Sequence, residues 1–382
     1  MHRLLAPDRN VPGWIWAVSG AAVVAAVVVA WLVGPVATEG ASRDQKAARP
    51  LARLGVVQDG FLVRHDSPLV REFDVHRCAV DPQRIVALIP ARDAVPSLDR
   101  PAFATAGEGA SVKADELVFG VKIGGEAHCY PLRLLAWHVV VNDKIAGKPV
   151  AVAFDPISNA GVAVLVDAGA DGRPLQFGVS GRAYMGEGLL FDRQTNSLWS
   201  MLRGSALAGP MTGTKLRRLH VDRMTFARWR GQHAKTAVLQ EDTGFDRPYE
   251  DDPYAQAVMS AGADPVNYWR EQDALIAPLP KGVPLGKYGD KELVLGVEAG
   301  GTTKAYPLSE IVRAGNSLKD QVGGVDLQVK YDAHGHYATA TAASGDVWTV
   351  VCFWGAWRAA HPTGQVYEAP RQAPSIGADA QA

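Results

Sequence analysis

His138, Asn142, Asp155 and Ser158 are the residues whose types and spacing come nearest to chemistry in this chain. A histidine titrates near neutral pH, and an Asp–His pair aimed into one pocket can work as acid and base. AWHVVVND places His138 four residues before Asn142. VAVAFDPIS carries Asp155 and Ser158 past the end of an apolar run, where Pro156 stops further ladder pairing. A second polar group follows in SGRAYMGEGLLFDRQTNSLW, with Ser180, Arg182, Tyr184, Asp192, Arg193 and Trp199. Polar side chains this dense beside short apolar strands need partners, either each other or a ligand. The candidate ligand-binding set is therefore His138, Asn142, Asp155, Ser158, Ser180, Tyr184, Arg193 and Trp199. The competing reading makes His138 a core histidine bonded to backbone, Ser180 a strand-end polar residue and Trp199 a core aromatic.

Other chemistry finds less support. G-V-S-G-R at Gly178–Arg182 lacks the last glycine of a nucleophile elbow. Neither a Walker A loop nor a dinucleotide fingerprint is present, so no cofactor is identified. Cys78, Cys129 and Cys352 are an odd number without metal-ligand spacing. One disulfide with one thiol left over and three buried small hydrophobes both fit them. His128-Cys129 would face opposite sides of a strand and could not share an ion without a bulge. The acidic run Asp242, Asp246, Glu250, Asp251 and Asp252 lacks the calcium-loop spacing and reads as a solvated loop. No metal site is assigned.

The elements that must position these residues occur twice. ELVFGVKIGGEAHCYPL from Glu116 reappears as ELVLGVEAGGTTKAYPL from Glu292, and NDKIAGKPVAVAFD reappears as KDQVGGVDLQVKYD, ending at Asp332. Gly120/Gly296, Tyr130/Tyr306, Pro131/Pro307 and Asp155/Asp332 pair across the two stretches, an internal duplication. Each copy reads as a hairpin turning at Gly-Gly, a helix starting after the proline, and a strand. In the first copy Asn142-Asp143 and Gly147 are expected to close the helix and turn the chain. Trp-Arg-x-x-His ends both copies, at Trp229–His233 and Trp357–His361. The second copy lacks about fifty residues by this spacing. They correspond to Ser180–Gly213, which makes that region the first copy's own equipment. His138 has no histidine counterpart, only Gly315 or Asn316. The fold class is α+β, mainly antiparallel β with short helices, and one N-terminal transmembrane helix.

That helix is Val11–Ala37, apolar and uncharged with Trp14, Trp16 and Trp31 near its ends. It would run about 40 Å against a hydrocarbon core of about 30 Å, and it reads as an uncleaved anchor. Arg43, Lys46, Arg49 and Arg53 behind it argue mildly against export by the positive-inside rule. The organisation is 1–37 stub and anchor, 38–55 tether, 56–240 first repeat domain, 241–285 acidic Pro/Tyr linker, 286–368 second, shorter repeat and 369–382 disordered tail. A chain of 382 residues at net charge -1 has ample length for a core and no electrostatic footprint for nucleic acid.

The chain resembles a widespread bacterial and archaeal family known as a conserved domain of unknown function. The resemblance rests on ARDAVPSLDRPAF, ELVFGVKIGGEAHCYPL, WHVVVNDKIAGKPVAVAF, FGVSGRAYMGEGLLFDRQTNSLWS, ALAGPMTGTKL, DTGFDRPYEDDPY and FWGAWRAAHP, in the family's order. It implies an extracytoplasmic, mainly β domain, exported or tethered to the membrane, and no reaction. Where the family typically carries Cys-Pro-x-Cys this chain has Asp155-Pro156-Ile157-Ser158, so thiolate, copper or redox chemistry of that pair does not apply here. The expectation is a single-pass inner-membrane protein with its main domain in the periplasm. It is read as a ligand-binding or assembly module, its partners the membrane and a protein or small ligand. The alternative is an extracytoplasmic hydrolase or transferase using His138, Asp155 and Ser158.

Overall fold

Short β-branched runs broken by glycine become strands, and the two Tyr-Pro-Leu steps become helix starts. A computed structural model describes residues 56–370, apart from 65–69, 90, 108–110, 167–171, 252, 254–278, 280–282 and 334–336. The anchor Val11–Ala37, the tether, much of the linker and the tail after Pro370 lie outside the described residues. Among the described residues no helix is long and apolar enough to cross a membrane. What they form is mainly antiparallel β with four short α-helices, an α+β fold.

The described residues begin with β1 (Val57–Gln58), β2 (Phe61–Val63), β3 (Arg71–Asp74), β4 (Ile85–Ala87) and β5 (Phe103–Thr105). The first unit then runs β6 (Leu117–Ile123), β7 (Glu126–Pro131), α1 (Leu132–His138), β8 (Val140–Ile145), β9 (Lys148–Asp155) and β10 (Ala160–Leu165). Next come β11 (Phe177–Tyr184), β12 (Glu187–Asp192), β13 (Leu198–Ser200), β14 (Ser205–Ala208) and β15 (Arg217–Leu219). The unit closes with β16 (Asp222–Thr225), α2 (Phe226–Gln232) and β17 (Ala237–Leu239). The second unit is β18 (Leu293–Ala299), β19 (Thr302–Pro307), α3 (Leu308–Arg313), β20 (Ser317–Val322), β21 (Val325–Asp332) and β22 (Tyr337–Ala342). It ends in β23 (Val347–Phe353), α4 (Trp354–Ala360) and β24 (Gln365–Val366).

Sheet order follows the same plan in both units. One sheet is β16-β6-β7-β17 with β5 at its edge, and its counterpart is β23-β18-β19-β24; the final pair is parallel in each. The meander β10-β9-β8 matches β22-β21-β20. Gly120 lies under the Trp229 ring and Gly296 under the Trp357 ring, so closely that a Cβ on either would overlap the indole. Two sequence expectations need correcting. Asn142 and Asp143 are in strand β8 rather than a turn, because α1 stops at His138 and the reversal is made by Val139 alone, at φ 63° and ψ -44°. The inserted part begins at Phe177, three residues before Ser180, because β11 is one continuous strand through the bulge at Ser180–Arg182.

Burial explains why the two meanders differ in sequence. Strand β21, VDLQVKYD, buries Leu327 and Val329 but leaves Asp326 and Lys330 to solvent. Strand β9, KPVAVAFD, is apolar from Val150 to Phe154 because both of its faces are covered there. Val150, Val152 and Phe154 pack with Phe119, Tyr130, Leu134 and Leu135. Ala151 and Ala153 face a second core, built with Phe177, Val179, Leu190 and Trp199 of the insert and with Val350, Cys352 and Trp357 of the second unit.

Candidate functional site

Where the small residues Ala153 and Ala160 meet the insert, packing leaves a cavity of about 110 Å³. Its walls are apolar, chiefly Leu88, Ile89, Val162, Val179, Leu190 and Met201. Asp155, Ser158, Glu187 and Arg182 are the polar side-chain residues that line it.

Asp155 ends β9 and opens a four-residue loop to β10. Its Oδ1 accepts the Ile157 N–H at 3.0 Å, an Asx turn of the kind Asp makes before such loops. Its Oδ2 accepts the Ser158 hydroxyl at 2.5 Å and the main-chain N–H groups of Ser158 at 3.2 Å and Gly188 at 2.9 Å. Gly188 belongs to β12, so this carboxyl staples the end of β9 to the insert. Burial pushes the Asp155 carboxyl up, while the Ser158, Gly188 and Ile157 hydrogen bonds pull it back in part. Glu187, next to Gly188, turns inward as well. It accepts the Ser200 hydroxyl at 2.5 Å and the Leu202 N–H at 2.7 Å. Burial pushes its carboxyl up to about 7, the hydrogen bonds offset part of this, and the charge of Asp155 adds to the rise. Burial thus favours the protonated form of both carboxyls, and the charge of Asp155 adds to that preference at Glu187. Arg182 is buried and pairs with Glu72 at 2.6 Å and the Val63 carbonyl at 2.9 Å, and its Nε has no hydrogen-bond partner.

The cavity rim holds backbone strain. Val139 lines it and sits at positive φ with negative ψ, a region that is rare for any side chain and rarer for a β-branched one. The matching position in the second unit, which accepts from Tyr331 as Val139 accepts from Phe154, is Asn316 at φ 66°. Such outliers persist where surrounding packing holds them, commonly at functional positions.

His138 goes elsewhere. Its Nδ1 donates to the Pro96 carbonyl at 2.9 Å, since a carbonyl can only accept, and its Nε2 accepts from the Tyr249 hydroxyl at 2.7 Å. Burial drives the ring's pKa down to about 4, with the Pro96 bond opposing and Arg247 adding to the fall. Tyr249 belongs to the core on the far face of β9, so His138 is not brought to Asp155. Asn142 bridges β8 to β11 through the Phe177 N–H and carbonyl, and reaches Asp99 at 2.7 Å. Ser180 donates to the Leu189 carbonyl at 2.6 Å and accepts the Arg182 N–H inside the bulge. Tyr184 is buried with the ring under Arg203. Arg193 grips Asp93 through two nitrogens, at 2.7 and 3.1 Å, and Ser97 at 2.9 Å. Trp199 donates to Asp192, whose carboxyl also caps the turn through Thr195 and Ser197. Of the expected set, Asp155 and Ser158 meet at the cavity; Asn142 and Arg193 tie the insert to its neighbours, Ser180 and Trp199 are bonded within it, and His138 is held by Pro96 and Tyr249.

Residues 92–351 match the family model described as Protein of unknown function (DUF3179). The chain belongs to that family. No curated protein and no solved structure gives a significant match. In this DUF3179 member the motifs ARDAVPSLD and DRQTNSLW meet each other through Arg92–Asn196 and Asp93–Arg193. Glu187 was the residue sequence reasoning passed over. Its signal is the lone acid between two glycines in MGEGLL, ahead of an apolar run that buries it. The three cysteines are unpaired, with Cys129 and Cys352 buried. Another constellation is disqualified by repetition. His128 and Tyr130 both reach Asp143, at 2.7 and 2.5 Å, and Lys304 and Tyr306 reach Asp320 in the same way, at 2.6 and 2.9 Å. The pair holds each hairpin to its meander.

Proposed function

We propose that this protein is a membrane-anchored, extracytoplasmic binding module whose cavity takes a small, mainly apolar molecule. The anchor is Val11–Ala37, and the apolar walls with Asp155 and Glu187 set among them carry the reading. An apolar cavity near 150 Å³ can hold a benzene-sized guest, and this one is of that order. Convergent polar groups in an otherwise apolar pocket orient a ligand, and a carboxyl titrating near neutrality accepts a hydroxyl or amine as readily as it donates its proton. The two units are read as an ancient duplication in which the first gained the insert and the cavity, and the second serves as its support. Shared element order, parallel closing strands and the paired Gly–Trp contacts support this. The hydrolase reading needs His138 as the base, and both of its ring nitrogens are engaged on the other side of β9, so we do not carry it forward.

The test is saturable binding of benzene and indole to the full-length protein, followed by ligand-detected NMR. Ala153→Leu should fill the cavity, abolish binding and leave the melting temperature at or above that of the wild type. His138→Ala should lower stability by about 1–3 kcal/mol, the cost of leaving Tyr249 and Pro96 without their partner, yet keep binding. Absent binding in the wild type, or unchanged binding in Ala153→Leu, would refute the proposal.

A further inference from the structure

A second, smaller cavity of about 20 Å³ lies on the seam between the units. Its lining includes Phe119 and Leu295, which hold equivalent places on β6 and β18, together with Arg223, His220, Thr339 and Thr349. Arg223 is the anomaly here. Its counterpart across the repeat is Val351, since Arg223 pairs with Phe119 as Val351 pairs with Leu295. A guanidinium stays charged under all ordinary conditions, so a cation has been set where the plan of the fold puts an apolar side chain. Its Nε is sealed from solvent and has no partner. Its remaining contacts are long ones, to the Asn159 carbonyl at 3.4 Å and the Asn159 side-chain oxygen at 3.3 Å. No carboxylate of the described residues pairs with it, and burial alone pulls its pKa down to about 10. Asp222, the adjacent acid, is engaged with His220 Nε2 at 3.2 Å, while His220 Nδ1 meets the Thr349 hydroxyl at 3.3 Å. Arg223 as a whole is half-buried; its sealed Nε–H is the part left without an acceptor, and a desolvated cationic donor is costly unless an anion meets it.

We infer that this cavity is a site for one small monovalent anion of chloride size, held by Arg223 with the hydroxyls of Thr349 and Thr339, and that the ion locks the two units together. The volume decides the class of ligand. It has room for about one water-sized body, too little for a phosphate or a carboxylic acid. The seam location gives the ion its role, because β10 packs on β23 and β16 on β22 around this point.

An ion that binds only the folded chain raises its melting temperature in a saturable way. Full-length protein melted in sodium chloride or bromide should gain about 2–4 °C over acetate at matched ionic strength, with a midpoint in the millimolar range. Arg223→Met keeps the bulk and loses the charge, so its melting should not respond to halide. Crystals grown with bromide should show an anomalous peak beside Arg223, a reading that stands even if Arg223→Met fails to fold. Thr349→Val should move the halide midpoint upward several-fold. A wild-type melt indifferent to halide, the same response in Arg223→Met, or water alone in the bromide map would overturn the assignment.

Discussion

Glu187 carries a titration that stability measurements can isolate. Its folded value of about 7 stands above the ordinary 4.5, so the fold prefers the protonated acid. The stability this contributes is complete below about pH 4.5 and is lost as pH rises through about 7. His138 and His361 act in the opposite sense, because burial lowers both to about 4. Their contribution is complete above about pH 6.5 and disappears as pH falls toward 4. Comparing Glu187→Gln with the wild type cancels the histidines. The variant should gain on the wild type by on the order of 2–3 kcal/mol between about pH 5 and about pH 8, read from urea unfolding. A difference that stays constant across that range would mean Glu187 is ionised in the fold throughout.

At the scale of elements, the meanders show how a neighbour rewrites a strand. Strand β21 alternates because water covers one face, and β9 does not because the insert covers its second face. Glycines fix the other shared feature. Gly120 and Gly296 have ordinary strand conformations and are small because an indole lies on them. Gly120→Ala and Gly296→Ala should each destabilise by about 1–3 kcal/mol or more, the cost of overpacking a filled core. Denaturant midpoints of the two variants should fall by similar amounts. Loss at one site and tolerance at the other would show that the units do not share this packing.

Across the whole molecule the units are joined by one core and by charge. Trp357, Val350 and Cys352 of the second unit pack with Val162 and Trp199 of the first. Arg218 pairs with Glu298 and lies over Trp348, and Arg228 pairs with Asp332. The main-chain N–H of Phe353 donates to the Ser158 carbonyl, so the second unit supports the loop that carries Asp155. The location of this assembly is a prediction from the anchor and from the family resemblance. Protease added to intact spheroplasts should remove the chain beyond Ala37. Protection until lysis would place the domain in the cytoplasm, as the charges of Arg43, Lys46, Arg49 and Arg53 argue.

By itself the sequence determined the repeating plan, because strand periodicity, Gly-Gly turns and Pro helix starts are local signals that neighbours scarcely alter. It also set apart the stretch around Ser180–Gly213, which has no counterpart between the second Tyr-Pro-Leu and the second Trp-Arg-x-x-His. Which polar residues would share a cavity was not local. His138 and Asp155 flank the same open end of the β8–β9 hairpin, and the strained turn at Val139 sends the histidine to the far face of the sheet. Glu187 meets Asp155 because the β11–β12 hairpin folds back over the end of β9. The surroundings of Arg223 depend on the second unit, whose strands β22 and β23 arrive more than a hundred residues later in the chain. Side-chain direction at a turn and burial by a distant strand are tertiary quantities, so the candidate pocket could be listed from the sequence but its true members only from the fold.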